Sequence, residues 1–142
     1  MSLAENAAPG FRDHPGYEVN IAKADQRVRI VFNGETVANS DAALLVLETR
    51  HRPVYYLPMA DVRRDLLQPS AHGSYCPFKG KASYWSIVVG ERVAENAVWG
   101  YEAPFAEVAP LKDHVAFYGD RVDAVSLDGA LQEAVGPGYS DS

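Results

Sequence analysis

The sequence is poor in cysteine, because Cys76 is the only one among 142 residues. A single thiol cannot form an internal disulfide, and it cannot supply the several thiolates of a structural zinc site. Chains that do without disulfides are typical of a reducing compartment. We therefore expect a cytoplasmic protein that is stabilised by its hydrophobic core, and 142 residues are enough to form one.

Long hydrophobic runs are missing too. The longest, Ala42–Leu47, is far shorter than the roughly 18–20 apolar residues that span a bilayer. The start of the chain lacks the basic segment followed by an apolar stretch that marks a secretory signal. We predict no membrane partner.

Positive charge is scarce, since the formal net charge is -6. The basic residues form only two short groups, Arg50–Arg52 and Arg63–Arg64, which stand beside carboxylates or proline. Contacts with phosphates need clustered Lys and Arg side chains. No nucleic-acid partner is expected.

Common enzyme motifs are absent as well. The sequence contains neither of the Gly-rich phosphate loops, G-x-x-x-x-G-K-[ST] and G-x-G-x-x-G, and no G-x-S-x-G elbow. Its four histidines are widely separated, and no two are spaced like the paired ligands of a metal-binding helix. The sequence predicts neither a metal site nor a cofactor.

What the sequence does contain is the alternation typical of β-strands. Arg27–Phe32 alternates, Asn33-Gly34 supplies the residues of a type I′ turn, and Glu35–Ala38 returns as the second strand of a hairpin. A second hairpin is predicted over Ala82–Trp99, with its turn at Gly90.

Further strands are predicted at Val54–Leu57, Val115–Tyr118 and Arg121–Val125, and short helices at Met59–Leu66 and Ala106–His114. The run Ala42–Leu47 fits either a buried strand or a helical turn. Closely spaced strands with few helices favour a mainly β, sandwich-like or rolled fold.

The chain is expected to hold one domain. We place the β domain at residues 26–126, after an N-terminal extension at 1–25 that packs loosely on it. The tail at 127–142, which contains Gly136-Pro137-Gly138, is expected to be loose.

The segment from Tyr75 to Gly80 is the most unusual string in the chain. Pro77 fixes φ, and Gly80 permits a positive φ or a close backbone approach. Lys79 is a candidate for holding an anion, and Cys76 is a candidate catalytic nucleophile. The alternative is a buried, unreactive Cys76 and an exposed Lys79, because no neighbouring histidine acts as a base for the thiol.

Several aromatic and charged residues are candidates for a ligand-binding pocket. Aromatic rings with polar tips suit small-molecule sites, although any β core uses them too. Trp85 is expected to be the more deeply buried tryptophan. The aromatic candidates are Tyr55, Tyr84, Trp99 and Tyr101.

Glu48 is the preferred carboxylate of this pocket because it ends an apolar run. A buried acid needs a partner, and Arg63 and Lys79 are the candidate partners. Alternatively, Glu48 is an exposed turn residue, and Arg63 belongs to a solvated group with Asp61 and Asp65.

The order of these motifs resembles the bacterial and fungal family called domain of unknown function 427, over roughly residues 27–125. The matching strings are Phe-Asn-Gly-Glu-Thr-Val-Ala at 32–38, Leu-Glu-Thr at 47–49, Pro-Val-Tyr-Tyr-x-Pro at 53–58, Asp-Val-Arg at 61–63, Tyr-Cys-Pro-Phe-Lys-Gly at 75–80, Ala-Ser-Tyr at 82–84, Ala-Val-Trp-x-Tyr at 97–101 and Val-Ala-Phe-Tyr at 115–118.

The resemblance implies a β-tent, a fold of two roughly orthogonal antiparallel sheets with one or two short helices. Many β-tents hold zinc through C-x-x-C knuckles, which this chain lacks, so no zinc is implied. Related β-tents have an aromatic-lined pocket between the sheets, which directs attention to Tyr84, Trp99 and Tyr101 by analogy.

Another name of the family refers to nucleotidyl transfer. That chemistry generally needs paired metal-binding carboxylates near a phosphate loop, and the sequence has no such pair. We therefore disfavour this activity.

Three functional hypotheses follow. The first is a domain that binds a small molecule through Glu48, Lys79 and the aromatic candidates. The second is an enzyme that uses Cys76 in thiol or redox chemistry, and the third is a protein-interaction module. The sequence predicts no particular ligand or oligomeric state.

Overall fold

The protein is described by a computed structural model over residues 6–133. The start of the predicted N-terminal extension and residues 134–142 of the predicted tail lie outside the described residues. No helix within the described range is long and apolar enough to cross a bilayer.

The regular elements, in chain order, are one short α-helix and a series of β-strands. They are α1 (Pro9–Asp13), β1 (Val19–Lys23), β2 (Val28–Phe32), β3 (Glu35–Ser40), β4 (Leu44–Glu48), β5 (Val54–Pro58), β6 (Leu67–Cys76), β7 (Gly80–Val89), β8 (Arg92–Gly100), β9 (His114–Phe117), β10 (Ala124–Leu127) and β11 (Ala130–Leu131). Short 3₁₀ turns occur at Met59–Asp61, Arg64–Leu66 and Ala106–Leu111.

The strands form two antiparallel sheets, so the predicted mainly β fold is confirmed. One is a seven-stranded sheet of order β1-β4-β5-β9-β8-β7-β6, and the other is a four-stranded sheet of order β11-β10-β2-β3. Strand β1 comes from the predicted N-terminal extension and pairs with β4 at the edge of the larger sheet. The domain boundaries themselves stay a prediction.

Both predicted hairpins are present. Asn33 and Gly34 have φ values of 48° and 81°, as a type I′ turn requires at both central positions. Strands β7 and β8 form the second hairpin and are joined at Gly90 and Glu91, with Val89 paired to Arg92. Local turn chemistry therefore sets the register of both strand pairs.

Other elements differ from the sequence expectation. The ambiguous run at 42–47 is a strand, β4, and the two predicted helices are only 3₁₀ turns. Strand β6 was not predicted. It lies at a sheet edge, is mostly exposed and has a register shift between Pro69 and Gly73, so it lacks the alternation that predicts a half-buried strand.

Side chains on the two faces of the seven-stranded sheet belong to two different hydrophobic clusters. Successive strand residues point to opposite faces. In β5, Leu57 packs in the inter-sheet core, which also holds Ile30 and Phe117, whereas Tyr56 packs in an aromatic cluster on the opposite face. The main aromatic members of that cluster are Tyr56, Phe78, Tyr84, Trp99, Tyr101 and Tyr118.

The expected difference between the two tryptophans is reversed. Trp99 is 2% exposed in the aromatic cluster, and Trp85 is only partly buried against the inter-sheet core. Both residues lie on internal strands of the larger sheet, so strand position does not explain the difference. The Trp99 ring contacts the rings of Tyr56 and Tyr118, with centroids 6.1 and 4.4 Å away, whereas Trp85 lies one residue before a register shift in the pairing of β7 with β8.

Candidate functional site

A buried ion pair lies on the face of the larger sheet that holds the aromatic cluster. Lys79 Nζ donates to Glu48 Oε1 at 2.6 Å, and the two side chains are 1% and 5% exposed. Lys79 is therefore the partner of Glu48, as one of the two predicted pairings proposed. The alternatives of an exposed Lys79 and an exposed Glu48 are wrong, because the sheet and its covering segments close over both side chains.

The turn from β6 to β7 positions Lys79. Its backbone N–H bonds to the Cys76 carbonyl at 3.3 Å, and its own carbonyl accepts from Phe105 at 3.0 Å. Gly80 follows with a φ of 121°, and a Cβ there would approach the Ala103 carbonyl oxygen at 3.3 Å. The positive φ and this close approach explain why glycine follows the lysine.

Tyr17, which precedes β1 in the chain, contacts the ion pair. Its hydroxyl donates a hydrogen bond to Glu48 Oε2, and its ring stacks on Phe78 with centroids 3.8 Å apart and an interplanar angle of 11°. Burial and the neighbouring Glu48 carboxylate both raise the pKa of Tyr17. Tyr17 therefore stays a neutral hydrogen-bond donor at physiological pH.

Cys76 is buried next to this group. Burial raises the pKa of its thiol, and the nearby Lys79 ammonium offsets that effect only in part. A thiolate is the reactive form of cysteine, so this environment favours an unreactive thiol. The candidate role of Cys76 as a nucleophile stays a prediction, and burial counts against it.

The remaining aromatic candidates make internal hydrogen bonds or ring contacts in the same cluster. Trp99 Nε1 donates to the Tyr56 hydroxyl at 3.2 Å, and the Tyr84 hydroxyl lies 2.9 Å from Ser74 Oγ. The Tyr101 ring lies 6.5 Å from the Tyr56 ring. Tyr84, Trp99 and Tyr101 thus belong to one cluster, and the ion pair of Glu48 and Lys79 lies on the same face of the sheet.

Arg63 lies elsewhere. Its exposed guanidinium bonds to Asp65 at 2.7 Å and to Glu35 at 3.4 Å, so it does not pair with Glu48. The hydrogen bond from Arg63 lowers the pKa of Asp65. The alternative of a solvated charged group fits the exposed pair of Arg63 and Asp65.

Tyr55 also stands apart, on the inter-sheet face. It lines a cavity of about 270 Å³ together with side chains from both sheets. Its hydroxyl donates to Gln26 Oε1 at 2.8 Å, and burial raises its pKa. The full lining is Val28, Ile30, Arg52, Pro53, Val54, Tyr55, Leu57, Phe117, Gly119, Val125, Leu127, Gln132 and Glu133.

The predicted candidates are therefore divided among three places, and their role in binding a ligand stays a prediction. Sequence reasoning missed Tyr17 and Phe78 as neighbours of the ion pair, and Phe117 and Val125 as cavity walls. Tyr17 begins the stretch Tyr17–Ile21, whose alternation is typical of a short strand, but alternation does not identify a partner 31 residues away, so no local signal linked Tyr17 to Glu48. Phe117 was recognised only as part of a strand.

Within residues 6–133, no group of three or more His, Cys, Asp or Glu side chains is arranged to hold a metal ion. Every buried side-chain nitrogen and oxygen in that range has a hydrogen-bond partner.

Comparison with known proteins gives one family assignment. None of the curated proteins matches the chain. Residues 20–128 match the family described as domain of unknown function (DUF427). The match extends over well more than half of the 142 residues, in agreement with the resemblance seen in the motifs. The chain belongs to the DUF427 family.

Proposed function

We propose that the protein binds a small, largely apolar molecule in the cavity between its two sheets. The observation that carries this proposal is the cavity itself, with a volume of about 270 Å³ and walls from both sheets. Small-molecule sites are mostly apolar concavities with a few polar groups that orient the ligand. An apolar cavity of about 150 Å³ can hold benzene, so a bicyclic molecule fits this larger volume.

The walls support a preformed site. Val28 and Ile30 of β2 face Leu57 of β5 and Phe117 of β9, and all four residues are buried. Regular sheet hydrogen bonds hold these strands, so a ligand does not have to order the backbone when it binds. Preorganised walls reduce the entropic cost of binding.

The lining contains few polar side chains. Arg52, Gln132 and Glu133 are among them, and all three lie outside the strands. Tyr55 adds a hydroxyl that already bonds to Gln26. This lining favours a mainly apolar ligand with few polar groups, smaller than the ligands of the roughly 300–1,000 Å³ pockets that hold drug-sized molecules.

A cavity-filling variant tests the proposal. Val125→Phe places a larger side chain in the cavity, and Val93→Phe makes the same change at a site 53% exposed on the second hairpin. Binding of indole, naphthalene and benzyl alcohol is measured by ligand-observed NMR and thermal shift. We expect saturable binding to the wild type and to Val93→Phe, and binding at least about tenfold weaker to Val125→Phe, because the new ring occupies the ligand volume.

Two outcomes contradict the proposal. One is the lack of saturable binding of all three probes to the wild type. The other is equal affinity of Val125→Phe and the wild type, which places the binding site outside the cavity.

A further inference from the structure

Tyr17 has the contacts of a bound ligand. Its phenol ring lies flat on Phe78, with centroids 3.8 Å apart, and its hydroxyl donates to Glu48 Oε2. The His51 ring lies steeply inclined to the Tyr17 ring, at an interplanar angle of 73° and a centroid distance of 6.4 Å. An aromatic platform and a hydrogen-bond acceptor thus recognise the two parts of a phenol separately.

Phe78 and Glu48 form the site that holds the Tyr17 phenol, which we call the slot. Phe78 belongs to the turn between β6 and β7, and Glu48 ends β4. Glu48 uses its other oxygen, Oε1, to accept from Lys79 Nζ at 2.6 Å, which fixes the carboxylate so that Oε2 faces the phenol. Replacing a buried ion pair by apolar residues is often neutral or stabilising, so stability alone does not account for this pair.

The segment that carries Tyr17 is attached mainly at its two ends. We call residues 8–18 the N-terminal strap. At one end, Ala8 N donates to Glu107 Oε1 at 2.9 Å and Gly10 N to the Pro77 carbonyl at 2.9 Å. At the other end, Glu18 N donates to Thr49 Oγ1 at 2.8 Å.

Between these ends, side-chain contacts hold the strap. Among residues 6–133, the backbone hydrogen bonds found for positions 11–17 are local ones, such as Tyr17 N to the His14 carbonyl at 2.9 Å. The Phe11 ring adds an edge contact to Phe78 at 5.1 Å. Tyr17 is only half-buried, so one side of the slot is open to solvent. Segments with few backbone bonds to the core open at low free-energy cost.

We propose that this slot is a binding site for a planar hydroxyaromatic molecule and that Tyr17 occupies it as an internal, competing ligand. When the strap lifts, the external ring stacks on Phe78 and its hydroxyl donates to Glu48. The site lies on the opposite face of the seven-stranded sheet from the inter-sheet cavity, so it is independent of the function proposed above.

Chemical complementation tests the slot directly. Tyr17→Ala removes the internal phenol, and phenol and benzene are the probes, because they differ only in the hydroxyl. Tyr75→Ala is the matched control, since Tyr75 is 61% exposed. We expect phenol to raise the melting temperature of Tyr17→Ala in a saturable way and to bind at least about tenfold more tightly than benzene, because Glu48 Oε2 has lost its donor and discriminates against a ligand that cannot replace it. Tyr75→Ala is expected to respond like the wild type.

A second pair of variants tests competition by the strap with Tyr17 intact. Glu107 Oε1 accepts from Ala8 N at 2.9 Å at the start of the strap, so Glu107→Ala removes one attachment of the strap without altering Phe78 or Glu48. Glu91→Ala is the matched control, because Glu91 is exposed in the turn between β7 and β8. We expect phenol to bind more tightly to Glu107→Ala than to Glu91→Ala, and most tightly to Tyr17→Ala.

Each result of these experiments either supports or contradicts the proposal. A folded Tyr17→Ala that does not prefer phenol to benzene overturns the proposal. If Tyr17→Ala does not fold, equal phenol affinity of Glu107→Ala and Glu91→Ala overturns it, and tighter binding by Glu107→Ala supports it. Val125→Phe is expected to leave phenol binding in a Tyr17→Ala background unchanged, so failure of the cavity proposal does not affect this one.

Discussion

The two faces of the seven-stranded sheet are packed differently. The inter-sheet face has apolar side chains and leaves a cavity of about 270 Å³. The opposite face has the aromatic cluster, in which Lys79 and Glu48 form a buried ion pair at 2.6 Å. Apolar contacts have no directional requirement, so a substitution on the inter-sheet face leaves no polar group unpaired. A buried ion pair is stable only when both charges and their remaining hydrogen-bonding positions are satisfied, so the aromatic face is expected to be the less tolerant of substitution.

The largest expected effect comes from breaking the ion pair. Lys79→Met leaves the Glu48 carboxylate buried without its cation and should lower the free energy of unfolding by about 3–5 kcal/mol. Urea unfolding at neutral pH measures this change. Lys81→Met is the control, because Lys81 is an exposed cation only two residues further along the chain, on β7. A loss below about 1 kcal/mol, the range of surface ion pairs, would contradict the difference between the two faces.

Removing both charges sharpens this test. Combining Lys79→Met with Glu48→Leu leaves no uncompensated charge, so most of the lost stability should return. The same urea measurement gives the interaction energy of the pair through a double-mutant cycle. A double variant as unstable as Lys79→Met alone would mean that lost packing, rather than the unpaired carboxylate, causes the destabilisation.

The next largest effect concerns the hydroxyl of Tyr17. Tyr17→Phe keeps the ring on Phe78 and removes the hydrogen bond to Glu48, which should cost about 2 kcal/mol because the acceptor is charged. Tyr75→Phe, at an exposed ring, should change the free energy of unfolding by less than about 0.5 kcal/mol. Thermal unfolding of both variants makes the comparison, and equal melting temperatures would show that water replaces the Tyr17 hydroxyl.

A larger side chain should change the free energy of unfolding in opposite directions on the two faces. Val125→Phe fills part of the cavity and is expected to stabilise by about 1 kcal/mol. Ala116→Leu enlarges a fully buried side chain in the aromatic cluster and should destabilise by about 1–3 kcal/mol through overpacking. Chemical denaturation of the two variants in parallel gives both values. The same sign for both variants would contradict the contrast in packing.

The last prediction concerns the reactivity of Cys76 and not the stability of the protein. Burial raises the pKa of its thiol, so at any pH the thiolate fraction is below that of a free thiol with a pKa of about 8.5. The rate of alkylation by iodoacetamide should therefore rise only at alkaline pH and remain below that of an exposed thiol. The control is Tyr75→Cys in a Cys76→Ser background. Faster reaction of Cys76 than of this control near neutral pH would restore the hypothesis of a reactive thiol.

Much of the fold could be predicted because its signals are local. The turn at Asn33 and Gly34 needs two positive φ values, which these residue types adopt readily. Strand β6 could not be predicted, because a strand that is exposed at a sheet edge does not need to alternate apolar and polar residues. The short helices were overestimated, since residues 59–66 and 106–111 lack the length and periodicity that sustain an α-helix.

The candidate site was predictable only in its residue types. A carboxylate at the end of an apolar run needs a partner, and that requirement led to Glu48 with Lys79 as one of two options. No sequence signal decided between Lys79 and Arg63, because the choice depends on which turn the sheet brings to the end of β4. The sequence contains no signal for the cavity either, because the residues that line it come from segments before, within and after the central strands.

The sequence by itself determined the mainly β architecture, the positions of the two hairpins, the lack of disulfides and the membership of the DUF427 family. These follow from local backbone preferences, from composition and from the order of motifs. Only the tertiary structure decided that Glu48 meets Lys79 on one side and Tyr17 on the other, each 31 residues away in the chain. The physical reason is that packing of distant elements, and not local propensity, determines which charges and rings are excluded from water together.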